Sequence, residues 1–429
     1  MTPPRARACG KTSASAGRRA RAIAFRGMCA RALAVVCVFL AMGTPARAQV
    51  DFEFSGYVID LPSYQRMPDY ASELPPVMAR QFDLDRNMGV NLTRLRLRPT
   101  LRLWDGASIA LEYEIDATVM TQELLFGGIP DMTNRQLVDL RWRPVEEEHL
   151  QLLHYVDRLY FRQNFLWGSI VAGRQRISWG TGRIWNPTDL FNPINPASFD
   201  KIEKDGADAV SFKYYFGSFT DLQVVWNPRR ARGQRDGAPD APDSSNYGAR
   251  FRTNVAEFDL SVMGGWFDRR TVLGGDFAGN LLEAGVRGEM IYVMDGDGRG
   301  QDAYARFILG ADYQLTGKLY GVVEYLHNGE GKEDAGAYEL NRLFRGEILN
   351  VARDYIYLGG TYQLHPLVTG SLGVFGGLTD GSGFLNATAS WSSSDNSVVS
   401  AGLLLPYGSP RDEYWYYPSS LYLKGEYYF

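Results

Sequence analysis

The chain has 429 residues, with 45 Lys and Arg against 49 Asp and Glu, a formal net charge of −4, and three cysteines. All three cysteines (Cys9, Cys29, Cys37) and nine of the basic residues fall in positions 1–48, which hold no Asp or Glu, so residues 49–429 carry 45 − 9 = 36 basic against 49 acidic residues, a balance of −13. Beyond residue 48, disulfides and thiolate metal sites are excluded, and an acidic chain of this kind is no match for nucleic acid, whose phosphates call for a basic face.

Residues 1–48 read as a secretory signal. Basic residues come first, then the apolar run Ala32–Gly43, "ALAVVCVFLAMG", then the small-x-small pattern Ala46–Arg47–Ala48. That order predicts export with cleavage. The apolar run is shorter than the roughly 20 residues a spanning helix needs.

The next informative stretch is "TRLRLRPTLRLW", Thr93 to Trp104. Arg94, Arg96, Arg98 and Arg102 alternate with Leu95, Leu97, Leu101 and Leu103. In a strand, neighbours point to opposite faces, so one face is charged and the other oily. "ASIALEYEID", Ala107 to Asp116, repeats the alternation with the opposite sign: Glu112, Glu114 and Asp116 against Ile109, Leu111, Tyr113 and Ile115. "WDG" (Trp104, Asp105, Gly106) between them suits a three-residue hairpin with glycine in the left-handed position. Pairing Leu103 with Ala107 sets Arg98 against Glu112, Arg96 against Glu114 and Arg94 against Asp116. A one-residue slip would destroy that ladder, so the register is strongly specified.

The period-two pattern recurs at Val210–Phe216, Phe258–Trp266, Leu282–Met290 and Tyr304–Tyr313. Segments of about ten residues with this repeat are the mark of a transmembrane barrel, with oily residues toward lipid and polar ones toward a wet lumen. Short connectors (WDG, 216–219, 315–318, 392–396) alternate with long polar ones (Leu61–Val90, Asn227–Asn246, Asn328–Arg353, Pro406–Ser419). The expectation is an all-β protein: one antiparallel transmembrane barrel over 49–429, about 18 strands (16–20), with short periplasmic turns and long extracellular loops. Ala117–Gln151 and Arg270–Leu281 are where the strand pattern is least regular. "DGDGRGQD", Asp295 to Asp302, lacks most ligands of a calcium loop and reads as a Gly-rich outer loop.

The most distinctive run is "AGRQRISWGTGRIWNPTDLFNPINP", Ala172 to Pro196. It starts as a strand with Arg174, Arg176 and Ser178 on one face. Gly180 and Gly182 break it, and three Asn-Pro pairs follow, which start turns and resist sheet interiors. A strand that runs straight into a stiff, turn-rich loop can fold that loop into the lumen. The C-terminal "SLYLKGEYYF", Ser420 to Phe429, puts Leu421, Leu423, Tyr427 and Phe429 on one face, and reads as a closing strand whose terminal aromatic is recognised by the barrel-assembly machinery.

The pattern GRQ…WG…NPxD, together with "VVEYLHNG" (Val322 to Gly329), resembles a group of proteobacterial porin-like outer-membrane barrels related loosely to phosphate-selective and alginate-export porins. The resemblance covers most of residues 49–429. It implies a Gram-negative outer-membrane barrel with a transport role, and no particular substrate.

The functional expectation is a porin passing small hydrophilic solutes. Its pore-lining residues would be Arg94, Arg96, Arg98, Arg102, Glu112, Glu114, Asp116, Arg174, Arg176, Arg183 and Asp189, with Arg158 and Arg162 adding to the basic side. Such a basic strip would favour anions, unless Glu112, Glu114 and Asp116 neutralise it. The alternative is a structural or scaffold barrel within a larger complex. Motifs for hydrolase, metalloprotease or nucleotide chemistry are missing, and the four histidines lack ligand spacing, so no enzyme, metal or cofactor is expected. The expected partners are outer-membrane lipid and lipopolysaccharide, the assembly machinery through Phe429, and a small solute. A homo-trimer stays open.

Overall fold

Charges on alternate residues set the first hairpin. Arg94 stands opposite Asp116 and Arg96 opposite Glu114, the register expected from the sequence. The turn is tighter than expected: Trp104, not Leu103, pairs with Ala107, and a bulge between Arg102 and Trp104 absorbs the extra residue.

The computed structural model describes residues 50–69, 86–122, 136–192, 203–229, 245–294, 302–344 and 348–429. The predicted signal (1–48) and most of the 295–302 loop lie outside them. The strands are β1 (Asp51–Arg66), β2 (Asn87–Trp104), β3 (Ala107–Met120), β4 (Arg141–Glu146), β5 (Leu150–Phe165), β6 (Gly168–Gln175), β7 (Ala207–Tyr215), β8 (Asp221–Asn227), β9 (Asn246–Val255), β10 (Phe258–Phe267), β11 (Arg270–Leu281), β12 (Ala284–Val293), β13 (Tyr304–Gln314), β14 (Leu319–Asn328), β15 (Asp354–His365), β16 (Val368–Gly377), β17 (Gly383–Ser394), β18 (Ser397–Tyr407) and β19 (Ser419–Tyr428). Each is antiparallel to its neighbours. β3 pairs directly with β5, and β19 returns to β1 with Tyr57 opposite Tyr428, so an eighteen-stranded ring closes without an edge.

The faces sort by chemistry. Arg94, Arg96, Glu114, Glu289 and Glu324 are buried inside the ring, while Phe212, Val224, Leu260, Met290 and Leu309 are exposed outside it. One connector was misjudged from sequence, and one irregular stretch proves to be a strand. β1 runs on to Arg66 and β2 starts at Asn87, inside the stretch expected to be loop. Near the rim the outer face holds Pro62 and Tyr64 and the inner face Ser63 and Gln65, so the ladder continues after the oily/polar contrast has faded. Arg270–Leu281 forms β11, entered by a two-residue turn in which Asp268 and Arg269 have φ of 50° and 67°, the twist that suits a hairpin.

At one end the connections are short (105–106, 166–167, 216–220, 256–257, 282–283, 315–318, 366–367, 395–396); at the other most are long. One of the long connections shapes the interior. β6 stops at Gln175, the chain leaves the wall, and β7 begins only at Ala207. β4 fills the vacated place, pairing with β5 from Gln151 to Tyr155 on the side where β6 pairs lower down.

Candidate functional site

The segment 176–192 lies inside the ring. Ile177, Trp179, Trp185, Thr188, Asp189 and Phe191 on it are all buried. Trp179 and Phe191 meet edge to face at 5.0 Å and pack on Val225, Met263, Phe267, Val272 and Ile291 of the wall. Trp185 packs on Ile308, Leu326, Tyr355 and Phe375 further round. These wall residues lie toward the long-connection end, so that half of the lumen has a dry, apolar lining where the segment crosses it.

Two wall carboxylates moor the segment through its backbone. On β12, Glu289 Oε1 accepts hydrogen bonds from the N–H groups of Thr181 (2.5 Å) and Gly182 (2.6 Å). Its Oε2 accepts from Thr188 N–H (3.1 Å) and Thr188 Oγ1 (2.8 Å). On β14, Glu324 accepts from the N–H groups of Arg183 (2.8 Å), Ile184 (3.1 Å) and Trp185 (2.7 Å). Each anion takes three backbone donors, as an anion nest does. The glycines of "WGTG" make this approach possible. Gly180 has φ of 99°, and a Cβ there would sit 2.7 Å from Glu289 Oε1; at Gly182 it would meet Trp185 O at 1.8 Å. Asn186–Asp189 forms the turn its Asn-Pro pair predicts, with Asp189 N–H donating to Asn186 O at 3.1 Å. Of the two later Asn-Pro pairs only Asn192 is among the described residues; Pro193 and the pair at 195–196 lie outside them. At the neck of the segment, Ile177 N–H donates to Asn192 Oδ1 at 3.0 Å.

The arginine strip is present and heavily paired. Arg94 grips Asp116 in bidentate fashion (2.8 and 3.0 Å) and reaches Glu114 at 3.1 Å. Arg96, 2 % exposed, bonds to Glu112 (2.6 Å), Glu114 (2.5 Å) and Asp157, with Glu203 at 3.5 Å. Arg98 pairs with Glu203 and lies over the Tyr57 ring. Arg158 bridges Glu112 (2.9 Å) and Glu203 (2.8 Å). Asp157 reaches this cluster because a bulge in β5 opposite Glu112 and Tyr113 turns two consecutive side chains inward. Four cations (Arg94, Arg96, Arg98, Arg158) meet five anions (Glu112, Glu114, Asp116, Asp157, Glu203), a sum of −1.

The other expected lining residues divide. Arg102 is exposed at the turn end, beside Glu53 at 2.6 Å. Arg174 does not share a lumen face with Arg176. The alternation runs unbroken through Gly173 and puts Arg174 on the outer face, opposite Leu159 and Asp208, where it seals the seam at the end of β6, donating to Asp208 (2.9 Å), Val156 O (2.9 Å) and Val138 O. Asp189 is buried against Lys204. Arg176 is exposed, with no ion-pair partner among the described residues. Arg183 is half exposed, 3.3 Å from Tyr320 Oη and 3.7 Å from Asp312.

Sequence reasoning missed Glu289, Glu324, Asp157 and Glu203. The first two had a signal: acids on a wet strand face with no cation directly across the ladder, Glu289 standing opposite Asp276 and Ile308, and Glu324 opposite Gly310 and Tyr357. Of a second charged group on the inner face toward the turns, sequence reasoning named only Arg162. There Arg250 holds Asp276 (3.0 Å) and Arg252 holds Asp221 (2.7 Å), with Lys213 4.0 Å from Asp221 and Arg162 over the Tyr160 ring. Four cations face two anions, a sum of +2.

No protein-family model matches the chain, and no curated protein sequence does. Among solved structures, Acinetobacter baumannii OccAB4 matches over 90 % of this chain and 100 % of its own, with a TM-score of 0.53 and 9 % identity. Pseudomonas aeruginosa OccD3 (OpdP) matches over 91 % and 95 %, with a TM-score of 0.51 and 9 % identity. The chain shares the closed, eighteen-stranded antiparallel barrel fold of these proteins.

Proposed function

We propose that the protein is an outer-membrane channel for small hydrophilic solutes, narrowed by the segment 176–192. The observation that carries this reading is the pair of moorings at Glu289 and Glu324, which hold a purpose-built segment across the lumen of a closed barrel. The oily outer band and the wet, charged inner face are what a barrel in lipid requires. Any preference for anions would rest less on Arg94, Arg96 and Arg98, whose charge is cancelled, than on the +2 group of Arg162, Lys213, Arg250 and Arg252 with the exposed Arg176 and Arg183.

The dry packing of Trp179 and Trp185 on the wall also favours a second reading, a scaffold barrel whose lumen is shut. Planar-bilayer recording of the purified protein separates the two. Discrete open steps, with a zero-current potential shifted toward anions in a salt gradient, support the channel. Silence across a wide voltage range overturns it in favour of the scaffold.

A further inference from the structure

Height on the outer wall can be read along β1. Tyr57 and Ile59 are buried inside the ring, so Phe54 and Tyr64 point out, and both are exposed. They stand ten residues apart on the strand. At ~3.3 Å per residue and a tilt of ~40°, that is about 25 Å of height, the separation of the two aromatic girdles that flank an apolar band. Arg66 is the next outward position beyond Tyr64. It stands about 5 Å higher, at the depth of lipid headgroups and above the acyl chains.

A hollow of about 270 Å³ opens at that level, where the ends of β1 and β18 meet the starts of β2 and β19. Arg66 and Arg86 line it from β1 and from the residue before β2; Tyr407, Trp415, Tyr417 and Ser419 line it from β18, from the connection after it and from β19. Arg66 stands opposite Ser419 on one side and Asn87 on the other. Arg86 is fixed beside it by main-chain contacts: Met67 N–H donates to Arg86 O at 2.7 Å, and Arg86 Nε donates to Met67 O at 3.1 Å. The guanidinium of Arg66 and both terminal nitrogens of Arg86 have no partner among the described residues, and among those residues no carboxylate lines the hollow. Arg94, Arg96, Arg98 and Arg158, by contrast, are all held by acids. Arg66 and Tyr407 both lie on the outer face, Tyr407 two positions beyond the exposed Leu405, so the hollow opens toward the membrane and away from the lumen.

The lining fits one kind of ligand. Two guanidinium forks with no acid beside them are donors for an anion with several oxygens, and phosphate matches their geometry. Tyr407, Trp415 and Tyr417 offer apolar ring faces with polar tips, a platform for a sugar ring whose hydroxyls can reach Ser419. We propose that this hollow binds a phosphorylated sugar, the phosphoglucosamine headgroup of a lipopolysaccharide molecule in the surrounding leaflet, with Arg66 and Arg86 on its phosphate. Basic pockets at the edge of a membrane-embedded wall take lipid headgroups in this way. A free sugar phosphate has the same chemistry, but one bound for the lumen would not pass the outside of the wall. The inference rests on the barrel standing in an outer membrane and not on its conducting; bilayer recordings test conduction separately.

The test uses protein refolded in detergent without lipopolysaccharide and then titrated with it, bound lipid being counted by native mass spectrometry. The expected result is one tightly held lipid per chain. Arg66→Glu/Arg86→Glu should weaken binding about tenfold or more, with folding checked by heat-modifiable migration. Arg353→Glu, at the same end of the barrel but on an arginine paired with Glu333, should leave binding unchanged. One measurement needs no variant: lipopolysaccharide stripped of its lipid A phosphates should bind the wild type about tenfold more weakly. Glucosamine 1-phosphate separates the two sources, and should displace the lipid only in large excess. A wild type that holds no lipid, equal binding of the dephosphorylated lipid, a loss in Arg353→Glu matching that of the double variant, or glucosamine 1-phosphate binding as tightly as the lipid would overturn the proposal.

Discussion

Glu289 on the barrel wall and Gly182 on the inward segment are joined by a 2.6 Å hydrogen bond from backbone nitrogen to carboxylate, and Glu324 and Trp185 by one of 2.7 Å. The grip is on main-chain hydrogens, and the acids belong to the wall. Hydrogen bonds to a charged acceptor contribute about 1.5–3 kcal/mol each, so each acid outweighs any single apolar contact of the segment.

Removing a mooring is expected to open the lumen. Glu289→Ala and Glu324→Ala each strand three N–H groups, one of them buried, and the double variant releases most of 181–188. Single-channel conductance should rise at least about twofold in the double variant, with added current noise in the singles from a segment that samples two positions. Unchanged conductance in the double variant would contradict the mooring role.

The glycines make a graded prediction. Gly180→Ala meets the movable tip of Glu289, whereas Gly182→Ala meets the carbonyl of Trp185 and the Ile308 side chain. A positive-φ residue or a hard backbone clash costs on the order of 1–3 kcal/mol. Gly182→Ala should therefore displace the segment more than Gly180→Ala, read as faster protease cleavage within 176–192 on otherwise intact barrels.

Arg96 and Arg176 are expected to respond in opposite ways. Arg96→Met leaves Glu112, Glu114 and Asp157 without their shared cation, and breaking such a buried network costs about 3–5 kcal/mol. Its urea unfolding midpoint should fall clearly. Arg176→Glu, on an exposed side chain with no ion-pair partner among the described residues, should leave that midpoint unchanged and move the zero-current potential toward cations. Similar unfolding midpoints for the two variants would refute the division.

The connection between β18 and β19 is expected to sense pH. Burial pushes the Glu413 carboxyl up from 4.5 to about 7, against the opposing hydrogen bonds from Tyr355 and from the backbone of Ala352 and Val351. The docked form then holds a proton that the undocked form has released between about pH 4.5 and 7. Stability falls as pH rises through that window and is level above it, by about 3 kcal/mol in all. Protection factors for amide exchange at 413–417, which divide out the base-catalysed rise of the intrinsic rate with pH, should be larger at pH 5.5 than at pH 8, and Glu413→Gln should remove the difference.

The sequence carries what is periodic and local. The pairing of Arg94 with Asp116 and Arg96 with Glu114 could be read because both strands advertise their faces and the turn between them is short. Arg174 was misplaced because a charge was taken to mark the wet face, whereas it stands on the outer face of β6 beside Leu159 and is paired there with Asp208. The docking of Gly182 on Glu289 joins residues 107 apart, and the acid's role shows only once the barrel has closed. β4 was hidden for a related reason: its place in the wall exists because β6 leaves it.

Amide hydrogens are common to every residue except proline, and the two wall acids grip little else. The side chains of Thr181 and Arg183 can therefore be exchanged while the strap keeps its course, provided the glycines and the buried Trp185 stay and no proline enters. Homologues that keep both glutamates would be free to retune the bore by rewriting that strap alone, and a designer could graft a new lining there without rebuilding the staves.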